Sequence, residues 1–303
     1  MAIRKLRSTG DIPQNSKTRS GLPEGILPGG LADSAGIAWA GRTFDHHNTA
    51  FADDDGLAYP QYTEAVAILR AAAQRYRDKQ LSGDAQQISA SFQELLKAQQ
   101  KVLRALQEVR VLVPLIAQAG DFGTIATGKT VEKTQELSIV TVLAPDGRKA
   151  LPVFSSTAAM REWDSSARPI PVMMPQVMLA AAQENSEMVI VDPASKTSEL
   201  GIRQNQYEAV ATGADFTPAW AQPEIAERVN KLLISDSVLV VALLPADPEL
   251  RLISAETELV LGLRPGLSNG EVTTIVDNAK QAWQREETLV SAVDSLKIRV
   301  VSL

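Results

Sequence analysis

The sequence predicts an α+β protein of two folded parts, each a mixed or antiparallel sheet flanked by helices. Three observations lead there. The 303 residues are long enough for about two domains, and a 45% hydrophobic fraction supplies material for real cores. Stretches with apolar residues every three or four positions alternate with short β-branched runs. Between them, residues 213–222 (GADFTPAWAQ) read as a junction. The expected organisation is therefore an irregular arm over 1–60 packing on the first domain, a domain over 61–215 and a domain over 216–303.

Residues 1–30 are rich in Gly, Pro and Ser. Arg4, Lys5, Arg7, Lys17 and Arg19 face only Asp11 in the first twenty positions, as in a solvated arm or one that docks on an acidic partner. Residues 31–60 are irregular. Trp39, Phe44, Phe51 and Tyr59 predict that this segment lies against the first domain. The spacing of Ala65, Ile68, Leu69 and Ala72 predicts a helix over 61–77. A longer one follows over 84–108, after a turn at Ser82-Gly83-Asp84.

The period then changes. Residues 109–117 alternate as a strand, with Pro114 suggesting an edge or a bulge. Residues 137–143 (LSIVTVL) read as one strand, turned by Pro145-Asp146-Gly147 into a return strand at 149–154. A short helix to Trp163, an extended 169–172, a helix opening at Pro175 and a strand at 188–191 follow. A short strand and helix are expected over 200–212. The last part reads as a helix at 223–234, a strand at 238–244, a hairpin-like pair at 249–263, a helix at 269–285 and a strand at 296–301.

Composition excludes several functions. Net charge is −6, against the basic field of a nucleic-acid binder. With no cysteine there is no disulfide, thiol nucleophile or Cys-based metal site. The longest apolar run, 238–244, is too short to span a bilayer, and no signal peptide is visible.

The loudest motif is GTIATGKT at 123–130, which matches the phosphate-binding G-x-x-x-x-G-K-[ST] pattern. In a nucleotide-binding enzyme Gly128, Lys129 and Thr130 would hold phosphate and Mg²⁺, and Asp192 would be the acidic partner after its strand. A P-loop needs a strand running into it and a helix leaving it. Here the strand ends near Ala117, and only VEKTQE separates Thr130 from the next strand. That context favours a hairpin loop. His46 and His47, the chain's two histidines, stand beside Asp45 and precede Asp53-Asp54-Asp55 without a metal-ligand spacing. Two adjacent histidines in an irregular arm leave no base for a nucleophilic triad.

The order of features from Val140 to Asp192 resembles the SseB family, named for enhanced serine sensitivity. It runs strand, PDGR, LPVF-Ser155-Ser156, a helix ending in Trp163, ARPIPV, a helix and an apolar strand ending Asp192-Pro193. Ala40-Gly41-Arg42, Asp54-Asp55-Gly56 and Val111–Pro114 resemble its actinobacterial branch, and the part from Gln222 resembles its C-terminal domain. The resemblance implies a cytoplasmic bacterial protein with a loose link to serine metabolism. It brings no catalytic residue and no cofactor. The expectation is thus a non-enzymatic binding or regulatory protein with an unidentified protein or small-molecule partner, and no nucleic acid or membrane. Its candidate surface is Arg148, Trp163 and Arg168. The alternatives are the nucleotide enzyme above and a docking module using the basic arm.

Overall fold

The computed structural model describes residues 5–6, 51–119, 122–124, 130–132, 135–144 and 147–303. The described residues fall into two units. One comprises 5–6 and 56–303; of the other, 51–55 form a turn in which the Asp54 N–H donates to the Phe51 carbonyl. The sequence expectations for 7–50, including His46, His47 and most of the basic arm, lie outside the described residues.

The first unit is α+β. Its elements are β1 (Lys5–Leu6), α1 (Pro60–Ser82), α2 (Ala85–Gln107), β2 (Arg110–Ala119), β3 (Phe122–Thr124), β4 (Thr130–Glu132), β5 (Gln135–Ile139), β6 (Thr141–Leu143) and β7 (Lys149–Val153). Next come α3 (Thr157–Trp163), β8 (Arg168–Met173), α4 (Met174–Gln183), β9 (Met188–Val191), β10 (Leu200–Arg203) and α5 (Tyr207–Thr212). The chain ends with α6 (Pro223–Leu233), β11 (Val238–Pro245), β12 (Thr257–Leu263), α7 (Asn269–Arg285), α8 (Glu287–Ala292) and β13 (Leu296–Ser302). Among the described residues no helix is long and apolar enough to cross a membrane.

Local chemistry sets the boundaries. Gly83 takes φ +71°, the left-handed conformation that ends α1, and Asp84 then caps α2 by accepting from the N–H groups of Gln86 and Gln87. Ser156 caps α3 through the Ala159 N–H. At α7, Ser268 and Glu271 form a reciprocal capping box.

The largest sheet has the order β1-β6-β7-β9-β10, with β7 and β9 parallel and the other pairs antiparallel. A second sheet is β5-β2-β8, and a third is β11-β12-β13 with β12 and β13 parallel. Helices α1, α2, α4 and α5 pack with β7, β9 and β10 around one core, which contains Leu69, Leu95, Leu106, Val153, Val191 and Leu200. A second core joins α6, α7, α8 and the β11-β12-β13 sheet. Phe92 of α2 packs against both, its ring edge-on to Trp220 at 4.9 Å between centroids.

Three expectations need correction. The run 137–143 is not one strand. Residues 135–139 pair with β2 and residues 141–143 with β7, so the chain changes sheets at the buried Val140. Pro114 does not lie on an edge. It sits in the central strand β2 opposite Pro169, and pairing with β5 begins one residue later, so no ladder bond falls to its missing N–H. Residues 249–256 form no strand. Leu250 and Leu252 both point into the core, which mimics alternation, but they hold φ +53° and +56° in a left-handed turn.

That turn depends on Gly201. The Gly201 N–H donates to the Leu250 carbonyl at 2.6 Å, and a Cβ at 201 would stand 2.1 Å from Leu252 Cγ. Gly201→Ala should therefore destabilise the protein by roughly 1–3 kcal/mol in urea unfolding. Adding Leu252→Ala should return part of that loss, a non-additivity expected of direct contact.

Candidate functional site

The described residues hold two concentrations of buried polar chemistry. The first is built on Arg203 at the end of β10, whose side chain is 0% exposed. Its Nη1 donates to Asp294 Oδ2 at 2.9 Å and to Ser295 Oγ at 3.0 Å. Its Nη2 donates to Asp247 Oδ2 and to the Ser254 carbonyl, both at 2.8 Å. Asp247 also accepts from the N–H groups of Arg251 and Leu252, which fixes the turn opposite Gly201. Arg148 Nη1 reaches both oxygens of Asp294 at 3.0 Å. Glu256 accepts from Asn205 and from the Asp294 N–H; burial pushes its carboxyl upward and these bonds oppose the shift. Two carboxylates meeting the two terminal nitrogens of one guanidinium, which also reach the Ser295 hydroxyl and the Ser254 carbonyl while the buried Nε has no partner among the described residues, form a structural clamp.

The second concentration lies where the parallel strands β7 and β9 end. Ser155 follows β7 and Asp192 follows β9. The Asp192 carboxylate accepts from the Ser155 N–H at 2.8 Å and from the Ser155 hydroxyl at 2.6 Å. Asp192 is 1% exposed. Burial pushes its carboxyl up, and hydrogen bonds from Ser155 and Ser198 hold it back. Among the described residues it has no cationic partner. Arg110, itself buried, donates to the Ser155 carbonyl at 2.7 Å and to the Leu57 carbonyl at 2.9 Å, with Tyr59 5.6 Å from its guanidinium.

From Asp192 the loop to β10 is tightly held. Asp192 and Ala194 take φ +48° and +69°, unusual for residues with a Cβ and most unusual for alanine. The Ala194 N–H donates to Glu199 at 2.7 Å, the Ser195 N–H to the Asp192 carbonyl at 3.0 Å, and the Tyr62 hydroxyl of α1 to the Ser198 carbonyl at 3.2 Å. Arg70 of α1 adds hydrogen bonds to the carbonyls of Glu199 and Glu249. Between this loop and α3 opens a cleft of about 240 Å³, lined by Ala159, Glu162, Trp163, Asp192, Pro193, Ala194 and Ser195. Trp163 also packs on Phe154, with 5.2 Å between ring centroids.

The three residues expected to form one surface have separate surroundings. Trp163 lines the cleft. Arg148 is drawn into the Arg203 clamp through Asp294. Arg168 is exposed at the start of β8, opposite Leu115, and does not line the cleft. Of the phosphate motif, Gly128 and Lys129 lie outside the described residues. Thr130 starts β4 and pairs with Thr124 of β3, so a strand stands where a P-loop would begin its helix. Asp192 is committed to Ser155. Among the described residues no cluster could hold a metal ion.

Residues 87–200 match the family model of the SseB protein N-terminal domain. That stretch, similar to the SseB N-terminal domain, runs from α2 through both strand ends and the cleft loop. No curated protein and no solved structure matches the chain.

Arg110 and the Arg203 clamp match no motif in the sequence, and Ser155 enters only within the order LPVF-Ser155-Ser156. A signal was present for Arg203, a lone cation closing the apolar run Leu200–Arg203. Nothing local announces Asp247 or Asp294.

Two outcomes test the assignments. Arg203→Ala should cost about 3–5 kcal/mol in chemical denaturation, because the buried Asp247 loses its counter-charge and Asp294 keeps only Arg148. At Asp192 the folded carboxyl binds its proton more tightly than the unfolded one, so ionisation opposes folding. The stability of wild type relative to Asp192→Asn should fall as pH rises above about 3.9, and level off once Asp192 is fully ionised.

Proposed function

We propose that this protein is a non-enzymatic binding or regulatory protein whose ligand seat is the cleft between α3 and the loop from β9 to β10. The observation that carries the reading is the cleft's construction. A loop held in two left-handed residues, clamped from α1, β7 and Glu199, forms one wall, and an aromatic residue on a capped helix forms the other. Rigid walls of this kind suit binding, because little ordering entropy is left to oppose it.

The chemistry at the strand ends supports holding rather than turnover. Asp192 receives the Ser155 proton as a hydrogen bond, but a carboxylate is too weak a base to activate a hydroxyl without further help. Its other carboxylate oxygen accepts from a backbone N–H. The family name links the reading to serine metabolism or its regulation in the cytoplasm, with a free metabolite as partner.

A thermal-shift screen of the full chain against free amino acids, including serine, and against Mg·ATP and Mg·GTP tests this. A ligand at a hundred times its Kd adds about 2.7 kcal/mol of stability. A shift from an amino acid that disappears in Ala159→Phe, which fills the cleft, is the expected result. A shift from a nucleotide alone would replace this reading with nucleotide binding, and an amino-acid shift that survives Ala159→Phe would move the seat elsewhere.

A further inference from the structure

The sheet β11-β12-β13 ends on an open strand. Among the described residues β13 pairs with β12 alone. The Leu303 N–H donates to the Leu263 carbonyl at 3.0 Å, and the Ser295 carbonyl accepts from the Thr257 N–H at 3.1 Å. Odd-numbered residues of this stretch therefore turn their backbone groups toward β12. Ile298 and Val300 turn theirs outward, and among the described residues nothing bonds to them.

The edges at β8, β10 and β11 are guarded. Leu112 of β2 spends its backbone groups on Phe154, so Pro169 and Pro171 of β8 face outward and offer no N–H there. Gly201 of β10 gives its outward N–H to the Leu250 carbonyl. Strand β11 is irregular between Val238 and Val240 and ends in Pro245. By contrast β13 has no proline and keeps an unbroken register with β12.

Its side chains decide what can pair there. Lys297 and Arg299 share one face, 54% and 46% exposed, and have a single carboxylate between them, Glu258, at 3.1 and 2.9 Å. The edge thus keeps a surplus positive charge. Val300 lies on the opposite face and is exposed. An antiparallel copy of β13 centred on Arg299 would set Arg299 against itself, and one centred on Ile298 would set Lys297 against Arg299. Like charges directly opposite each other destabilise a strand pair, and opposite charges support it. The edge rejects a copy of itself and accepts an acidic strand.

We propose that the outer edge of β13 receives an extended acidic segment of a partner protein as an added strand. Its carboxylates alternate beside Lys297 and Arg299, its apolar residues cover Val300, and its backbone takes up the outward groups of Ile298 and Val300. This docking does not use the cleft and does not depend on it.

Fluorescence anisotropy of labelled peptides with the full chain tests it. One peptide matches β13 in length and alternates Val with Glu, and the other alternates Val with Lys. The Glu peptide should bind roughly tenfold more tightly than the Lys peptide, and added salt should narrow the gap. Lys297→Gln combined with Arg299→Gln should remove most of that preference. Val300→Pro deletes an outward N–H and spares the bonds to β12. If it still unfolds at the wild-type temperature, it should weaken the Glu peptide severalfold. Equal binding of the two peptides, or none, would overturn the proposal. So would undiminished Glu-peptide binding in folded Val300→Pro, which would mean attraction without strand addition. A concentration-dependent dimer that the Glu peptide fails to dissociate would overturn it too and assign the edge to a second copy.

Discussion

One buried cation organises the region where the two cores meet. Arg203 projects from the last strand of the five-stranded sheet and takes hydrogen bonds to Asp247, Ser254, Asp294 and Ser295. These partners lie 44 to 92 positions further along the chain. Once Arg203 leaves water, each partner must be present in the correct geometry, because a lone buried charge costs several kcal/mol. The left-handed turn at 250–252, the start of β13 and Arg148 are each tied to a partner of that one guanidinium, through Asp247, Ser295 and Asp294. The same turn touches Gly201 and so supports the strand that leaves the cleft loop.

Most of the secondary structure was legible because it rests on local chemistry. The apolar stripes of α1 and α2, the Gly83-Asp84 boundary, the Ser156 cap and Pro175 in the first turn of α4 are each set within a few residues. The misreadings share a cause. Leu250 and Leu252 alternate like strand residues, yet the cap from Asp247 and the close approach to Gly201 turn the backbone left-handed. Val140 sits inside a continuous β-branched run, and only the competition between β2 and β7 for partners divides that run. In both places a tertiary contact overrode a local pattern.

The site shows the same limit more sharply. Trp163, one of the three residues of the expected surface, lines the cleft. Asp192 was noticed for a different chemistry, since a hydrophobic strand ending in aspartate resembles a nucleotide motif. Its use here is a clamp on Ser155, made possible by the parallel pairing of β7 with β9. Arg148 and Arg168 look alike in sequence, but Asp294 claims one and solvent the other. Isolated charges carry no local mark of the partner they will find.

Helix α2 has a consequence for how the protein is made. Phe92 and Leu96 of this early helix pack against a core built from residues 219–293. Trp220, the partner of Phe92, lies 128 positions later (220 − 92). At ribosomal speeds of about 5–20 residues per second, that gap leaves part of the α2 surface uncovered for roughly 6 to 26 s after it emerges. The nascent chain thus carries an incompletely covered apolar patch, Phe92 and Leu96, until residues 219–293 are made, a foothold for a ribosome-associated chaperone.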